Sequence, residues 1–113
     1  MVKKYIPKQG DVICVNFNPT KGHEQKGTRP AVVISSNIFN KNTNMVIVCP
    51  VSTNKKYFPT HYHLEDTKKI YGSVLCEHIR SIDYNSRNVV FMEKLSDNDL
   101  LSIITLMNAC IEG

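Results

Sequence analysis

Long apolar runs are absent from this 113-residue sequence. The longest run covers residues 45–51, whereas a membrane-spanning helix needs about 20 consecutive apolar residues. The N-terminal segment is basic, but no apolar stretch follows it, so the sequence predicts no signal peptide. Together these absences exclude a membrane protein and favour a cytoplasmic one.

Two other patterns are missing. The four cysteines, Cys14, Cys49, Cys76 and Cys110, never occur at C-x-x-C spacing, which argues against a zinc knuckle or a redox pair. In a cytoplasmic chain we expect them to be reduced thiols that act as small core residues. No G-x-S-x-G sequence occurs either, so a hydrolase-type serine nucleophile is not predicted.

Acidic residues are scarce over most of the chain. Residues 1–88 carry a net charge of +7, whereas residues 89–113 carry −3. A basic segment attracts polyanions such as RNA or DNA, but a similar positive balance is common in proteins that bind no nucleic acid, so charge alone favours that partner only slightly.

Short apolar runs rich in β-branched residues predict a β-rich fold. The runs are residues 11–17, 31–35, 45–51, 57–64, a fifth strand drawn from 72–76 and the region of 79–82, and 88–93. Pro30 stands at the entry of the second run, and Pro50 predicts a bulge or an end in the third. Residues 36–44 are polar and fit a loop or a short helical turn. The predicted count is five to seven short strands.

The C-terminal segment changes to helical periodicity. Ser96 is a candidate N-cap, with Asp99 in a capping-box position and Asp97 favourable to the helix dipole. The apolar residues that follow recur at 3.6-residue spacing and predict an amphipathic helix over 97–111: Leu100, Ile103, Ile104, Met107 and Ile111. The predicted fold is one α+β domain, residues 1–113, in which this helix packs on a small twisted β-barrel or sheet.

Reactive side chains concentrate between residues 18 and 29. This stretch reads as a long loop between two strands, and such loops often carry function. Arg29, just before Pro30, suits a phosphate group, but spacing alone favours an ordinary surface arginine or one paired with Glu24. Ser52 and Thr53 follow the third strand, where hydroxyls can bind a phosphate but more commonly bind the nearby turn backbone.

Histidines and aromatics form a second group of candidates. His61 and His63 share one face of a strand and, with His23 or His78, resemble metal ligands. No carboxylate or thiolate stands at ligand spacing, so we predict no metal and no cofactor. The aromatics Tyr57, Phe58, Tyr62 and Tyr71, among Lys55, Lys56, Lys68 and Lys69, are compatible with a single-stranded RNA surface or with core and rim positions.

Three blocks of the sequence resemble the MazF/PemK family of toxin endoribonucleases. They are GDVICVNFNPTKGHEQKGTRPAVVIS at 10–35, CPVST at 49–53 and GSVLCEHIRSIDYNSR at 72–87. The blocks keep the family's order and span nearly the whole chain. The resemblance implies an SH3-like, plasmid-maintenance-toxin-type barrel with a C-terminal helix, which agrees with the strand-then-helix pattern.

The resemblance also implies an activity and a set of residues. The expected reaction is metal-independent, sequence-specific cleavage of single-stranded RNA, in which the ribose 2′-OH attacks phosphorus and leaves 2′,3′-cyclic phosphate and 5′-OH ends. Arg29 and Ser52 match the family's catalytic positions, and Glu24 is the candidate base with His23 in reserve. Ser52 replaces the more usual threonine. The expected substrate-binding residues are Asn18, Thr20, Lys21, His23, Gln25, Lys26, Thr28, Thr53, Lys55, Lys56, Tyr57 and Phe58.

Partners follow from the same resemblance. It implies an acidic antitoxin that covers the RNA groove, and a homodimer. Asn40, Asn42 and Asn44 are candidate base contacts or simply loop residues. The main alternative is a non-catalytic module of the same fold that binds a protein such as a topoisomerase. A zinc nuclease using His61, His63 and His78 and a Pro-rich-peptide adaptor are less favoured, the latter because the chain lacks Trp.

Overall fold

A computed structural model describes residues 4–18, 27–54 and 56–113. Within these residues the chain forms seven strands and two helices. In chain order they are β1 (Asp11–Asn16), β2 (Thr28–Val33), α1 (Asn37–Thr43), β3 (Met45–Ser52), β4 (His61–His63), β5 (Ser73–Leu75), β6 (Arg80–Asp83), β7 (Val90–Lys94) and α2 (Asp97–Glu112). Neither of the two described helices is long and apolar enough to cross a membrane.

Strand β3 is the centre of an antiparallel sheet. It pairs with β2 along one edge, and its other edge serves two partners in turn. Residues 45–48 pair with β6, and residues 51–52 pair with β5. Pro50 lies in the interval between these two ladders, so the strand continues past the predicted break to Ser52. The order across the sheet is β4-β5-β3-β2-β1-β7.

Apolar residues alternate between the two faces of the sheet, as a period of two requires. Val12 and Val32 belong to one buried cluster, whereas Ile13 and Val33 belong to the other. Helix α2 covers the first cluster through Ile103, which is fully buried there. The predicted α+β class and the C-terminal helix are confirmed. The single strand drawn from residues 72–82 is instead two, β5 and β6, which pair with different parts of β3.

Some predictions about individual residues are wrong. Asn40 is not available to a ligand, because it is fully buried and its side-chain NH₂ donates to the carbonyl oxygens of Pro7 and Ser35. Cys49 and Cys76 are core residues whose burial raises the pKa of each thiol, but Cys110 is exposed. Cys110 lies in the exposed C-terminal part of α2, so the expectation of four core thiols is wrong for this residue.

Asp99 is the main polar link between α2 and the sheet. Ser96 caps the helix as predicted, since its Oγ accepts the Asp99 N–H at 3.0 Å. The Asp99 carboxylate is fully buried and accepts from the Tyr62 hydroxyl at 2.6 Å and from the N–H groups of Glu65 and Asp66. Burial and this hydrogen bond raise the pKa of Tyr62 to about 12, so its hydroxyl remains a donor.

Replacing Asp99 with alanine should therefore destabilise the protein strongly. Three donors would lose their acceptor, and hydrogen bonds to a charged group contribute about 1.5–3 kcal/mol each, so we expect a loss of at least about 2 kcal/mol. Asp97→Ala is the matched control, because Asp97 is exposed in the same first turn and its dipole interaction is worth about 0.3–1 kcal/mol. Urea unfolding measures both free energies, and equal losses would contradict this account.

Gly72 allows β5 to approach the end of β3. Its φ is +127°, and a Cβ added there would overlap the carbonyl oxygen of Ser52. The Gly72 carbonyl also accepts the Leu64 N–H at 3.0 Å. Only glycine satisfies both the backbone angle and the close contact, so this residue sets where the last residue of β3 lies.

Gly72→Ala is expected to cost more unfolding free energy than the strained backbone angle alone explains, because the added Cβ also displaces the backbone of Ser52. Gly27→Ala is the control, because Gly27 has φ +85° but open space around a Cβ. Strained backbone alone costs about 1–3 kcal/mol, and Gly72→Ala should exceed Gly27→Ala in lost unfolding free energy. Amide NMR shifts at residues 51–53 should change in the first variant only. Similar losses without those shifts would show that the contact is unimportant.

Candidate active site

The register between β2 and β3 brings Arg29 and Ser52 to neighbouring strand ends. The observed pairs end at Ala31 opposite Pro50. Arg29 lies two residues before Ala31 in β2, and Ser52 lies two residues after Pro50 in β3. Side chains two residues apart in a strand lie on the same face of the sheet. Arg29, half-buried, also stands opposite Val15 in β1. A guanidinium and a hydroxyl that are 23 residues apart in sequence therefore share one end of one sheet face.

The same face carries further cationic groups. Arg80 stands opposite Val48 in the β3–β6 ladder, and its guanidinium lies 5.3 Å from the centre of the Phe17 ring. On the other side, Ser52 pairs with Ser73, and Ser73 pairs with His63. Strand alternation then puts His61 on this face as well, opposite Leu75. The sheet thus presents arginine, imidazole and hydroxyl groups toward one side.

Ser52 lies at the wall of a small cavity. The residue is 8 % exposed, and its Oγ accepts the Asn54 N–H at 3.1 Å, which leaves the hydroxyl proton for another acceptor. The cavity measures about 230 Å³ and is lined by Ser52, Asn54, Lys56, Phe58, His61, Leu75, Glu77 and His78. That volume is below the roughly 300–1,000 Å³ of pockets for whole drug-sized ligands, so it suits one group of a larger substrate.

Glu77 is the anionic centre of this cavity. Its Oε2 contacts Nε2 of His61 at 2.7 Å and Nε2 of His78 at 3.7 Å. Its Oε1 accepts the Thr60 hydroxyl at 2.7 Å. Burial alone raises the pKa of Glu77, but hydrogen bonds from Thr60, its own backbone and His61 outweigh burial and hold the pKa below its ordinary value. The carboxylate is therefore ionised at neutral pH.

Aromatic and lysine side chains border the cavity on the segment before β4. The Phe58 ring lies 5.3 Å from the His61 ring, tilted by 42°. Tyr57 is 83 % exposed, and Lys56 is exposed as well. Thr53 lines an adjacent cavity of about 370 Å³ with Asn54, His63, Tyr71, Gly72 and Ser73. These exposed rings and cations are the groups that single-stranded nucleic acid stacks on and pairs with.

Hydrogen bonds hold together the two ends of the predicted loop between β1 and β2. Phe17 N–H donates to the Gly27 carbonyl, and Asn18 Oδ1 accepts the Gly27 N–H at 3.0 Å. Arg87 donates to the carbonyl of Asn18 at 2.6 Å. Thr28 is exposed at the start of β2. The remaining loop candidates, and Lys55, lie outside the described residues: Thr20, Lys21, His23, Glu24, Gln25 and Lys26.

A larger groove, of about 760 Å³, lies elsewhere, between the N-terminal segment and β7. Its lining includes the lysines Lys4, Lys8 and Lys94, and its one carboxylate, Asp11, already accepts from Tyr5, from the Lys8 N–H and from Lys94. No imidazole or hydroxyl other than that of Tyr5 lines it among the described residues. We therefore place the chemistry at the smaller cavity, where reactive groups converge.

The structure adds residues that sequence reasoning missed. Thr60, Glu77 and Asn54 were not candidates, and His61 and His78 were considered only as metal ligands. Among the described residues, no group of three or more His, Cys, Asp or Glu side chains is placed to hold a metal ion. The single signal in the sequence was the His61–His63 spacing on a strand, which indicates a shared face but does not identify Glu77 as the partner.

Comparisons with known proteins show the family of this chain. Residues 8–109 match the family model of the PemK-like, MazF-like toxins of type II toxin–antitoxin systems. The chain is 35 % identical over 111 residues to the endoribonuclease toxin MazF of Escherichia coli (strain K12), covering 98 % of this chain and 99 % of that protein. It is 30 % identical over 118 residues to the endoribonuclease toxin ChpB of the same organism, covering 99 % and 100 %.

Solved structures show the same fold. The crystal structure of MazF (Form-I) from Deinococcus radiodurans superposes with a TM-score of 0.91 at 31 % identity, covering 97 % of this chain and 100 % of that one. MazE-MazF (Form-II) from that organism gives a TM-score of 0.84 at 31 % identity, covering 96 % and 98 %. The chain therefore belongs to the PemK-like, MazF-like toxins of type II toxin–antitoxin systems and is an endoribonuclease toxin of that family.

Proposed function

We propose that this toxin cleaves single-stranded RNA without a metal ion, at the site formed by Arg29 and Ser52. The ribose 2′-OH attacks the adjacent phosphorus, the bond to the 5′-oxygen breaks, and the products carry 2′,3′-cyclic phosphate and 5′-OH ends. The observation that supports this site best is the β2–β3 register, which brings a guanidinium and a hydroxyl to the same end of one sheet face.

Each side chain has a role that its chemistry suits. Negative charge develops on the nonbridging phosphate oxygens, and Arg29 supplies a fixed, always-charged fork of donors to them. Ser52 donates its remaining hydroxyl proton to the same group. A guanidinium has a pKa above about 12 and is a poor base, so another residue takes the 2′-OH proton. The family resemblance suggests Glu24 for that base, with His23 in reserve, and both lie outside the described residues.

The border of the cavity would hold the RNA chain. The exposed rings of Tyr57 and Phe58 offer stacking surfaces, and Lys56 and Thr53 offer contacts to phosphate. Asn18 and Thr28, with Thr20, Lys21, His23, Gln25, Lys26 and Lys55, would complete the groove. The net charge of +7 over residues 1–88 suits both RNA and a competing acidic protein.

Further properties of the toxin belong to the same proposal. A cognate acidic antitoxin would inhibit it by covering the RNA groove, and MazE-MazF complexes of Deinococcus radiodurans are among the similar structures. The toxin would act in the cytoplasm, as a homodimer, with residues 1–113 working as one domain.

Arg29→Ala should abolish most RNA cleavage. Removing one donor to a developing oxyanion typically costs about 10²–10³ in rate, and Arg29→Lys should recover only part because the bidentate fork is lost. The assay incubates the protein with a long transcript in EDTA and maps the fragment ends. Lys41→Ala, an exposed cation on α1, is the control and should cleave normally. Intact transcripts with the unaltered protein would overturn the proposal.

The cleavage rate should depend on the hydroxyl of residue 52 rather than on the size of its side chain. We expect Ser52→Ala to lose about 10²-fold in cleavage rate, whereas Ser52→Thr keeps the hydroxyl and should stay active. Ser81→Ala, which changes an exposed serine on β6, is the control. If Ser52→Ala cleaved at the unaltered rate, Ser52 would have no part in the chemistry. If growth inhibition persisted in Arg29→Ala and Ser52→Ala alike, the non-catalytic binding function would be favoured instead.

A further inference from the structure

We propose that His61 is the general base of the RNA-cleavage reaction and that Glu77 positions it. The inference rests on the proposed function and replaces the candidates Glu24 and His23 for the base. It starts from one contact, the 2.7 Å separation between Nε2 of His61 and Oε2 of Glu77, in the wall of the cavity that also contains Ser52.

The contact with Glu77 decides which nitrogen of His61 is basic. An ionised carboxylate only accepts hydrogen bonds, so Nε2 must carry the hydrogen that bridges to Glu77. In the neutral ring the lone pair then lies on Nδ1, and a proton taken up there creates an imidazolium that Glu77 stabilises. The same division of labour, with a carboxylate that fixes the tautomer and orientation of a base, serves the serine hydrolases.

Glu77 is itself held in place. Thr60 donates to its other oxygen at 2.7 Å, so both carboxylate oxygens are engaged. Its lowered pKa keeps it charged at neutral pH. The Phe58 ring, tilted against His61 at 5.3 Å, limits how far the imidazole turns. A base that is oriented on two sides is pre-organised for proton transfer.

The surroundings of His61 come from three segments. Ser52 and Lys56 approach from β3 and the segment after it, and Glu77 and His78 approach from the turn after β5. His78 lies 3.7 Å from the Glu77 oxygen that His61 uses, so the two imidazoles compete for one negative charge. His61 has the shorter contact and a 21 % exposed side chain, which leaves it reachable from the cavity.

The step balances without a further catalyst. Nδ1 of His61 takes the proton from the 2′-OH as the 2′-oxygen forms its bond to phosphorus. The bond between phosphorus and the 5′-oxygen then breaks, and that oxygen takes a proton from water. The imidazolium returns its proton to the resulting hydroxide, so His61 ends neutral. Arg29 and Ser52 stabilise the negative charge on the phosphate oxygens throughout the reaction.

Single-turnover cleavage rates between about pH 5 and 8.5 test the inference. The substrate is an RNA oligonucleotide carrying a cleavage site mapped with the unaltered protein. A general base contributes about 10²–10⁴-fold, so His61→Gln should lose that factor together with the fall in rate at acid pH. Glu77→Gln removes the charge that favours the imidazolium, and the acid fall should move to lower pH. Lys41→Gln, an exposed residue on α1 outside the cavity lining, is the control and should keep the unaltered rate and pH profile.

Chemical rescue separates proton transfer from structure. His61→Ala should regain activity when free imidazole is added, whereas Arg29→Ala, which lacks a different group, should not respond, and thermal unfolding checks that each variant is folded. If His61→Gln keeps the unaltered rate and pH profile while Arg29→Ala is inactive, the base is another residue and the proposed function stands. If the unaltered protein leaves RNA intact, both the proposed function and the role of His61 are wrong.

Discussion

The site depends on the way β3 shares its two edges among three strands. One edge holds β2, and the other passes from β6 to β5 within eight residues. Because the change of partner happens at Pro50, the strand end that follows is bordered by groups from both parts of the sheet. Ser52 is the last residue of that strand, and Gly72 lets β5 lie against its carbonyl. Any shift in this pairing would separate the hydroxyl from both Arg29 and His61.

A carboxylate inside a basic surface is the second constraint. Residues 1–88 carry a net charge of +7, and Glu77 lies in the wall of the small cavity beside Ser52. An unpaired anion there would repel phosphate, but hydrogen bonds from Thr60 and His61 occupy both of its oxygens. Its charge therefore acts mainly on the imidazole of His61, and the base that we propose depends on this pairing.

Much of the fold was predictable because its signals are local. The helix over 97–111 was read from apolar spacing and the Ser96 cap, and the structure extends it by one residue. A segment divides into two strands when its two halves pair with different partners, and no local sequence pattern indicates this. Residues 72–82 are predicted as one strand but form two, β5 and β6. Asn40 looked like a polar loop residue, yet it satisfies the Pro7 carbonyl in the interior. Burial of a polar residue depends on partners that are distant in the sequence, so the neighbouring residues do not indicate it.

By itself the sequence determined the α+β pattern, the positive charge of residues 1–88 and, through its family blocks, the choice of Arg29 and Ser52 as candidate residues. Only the tertiary structure decided which other polar groups join them. His61 and Glu77 are 16 residues apart and meet because the β4–β5 register places them at one cavity. That register is selected by the burial of apolar residues on both faces of the whole sheet. Periodicity along one strand contains no information about which residue of the next strand stands opposite.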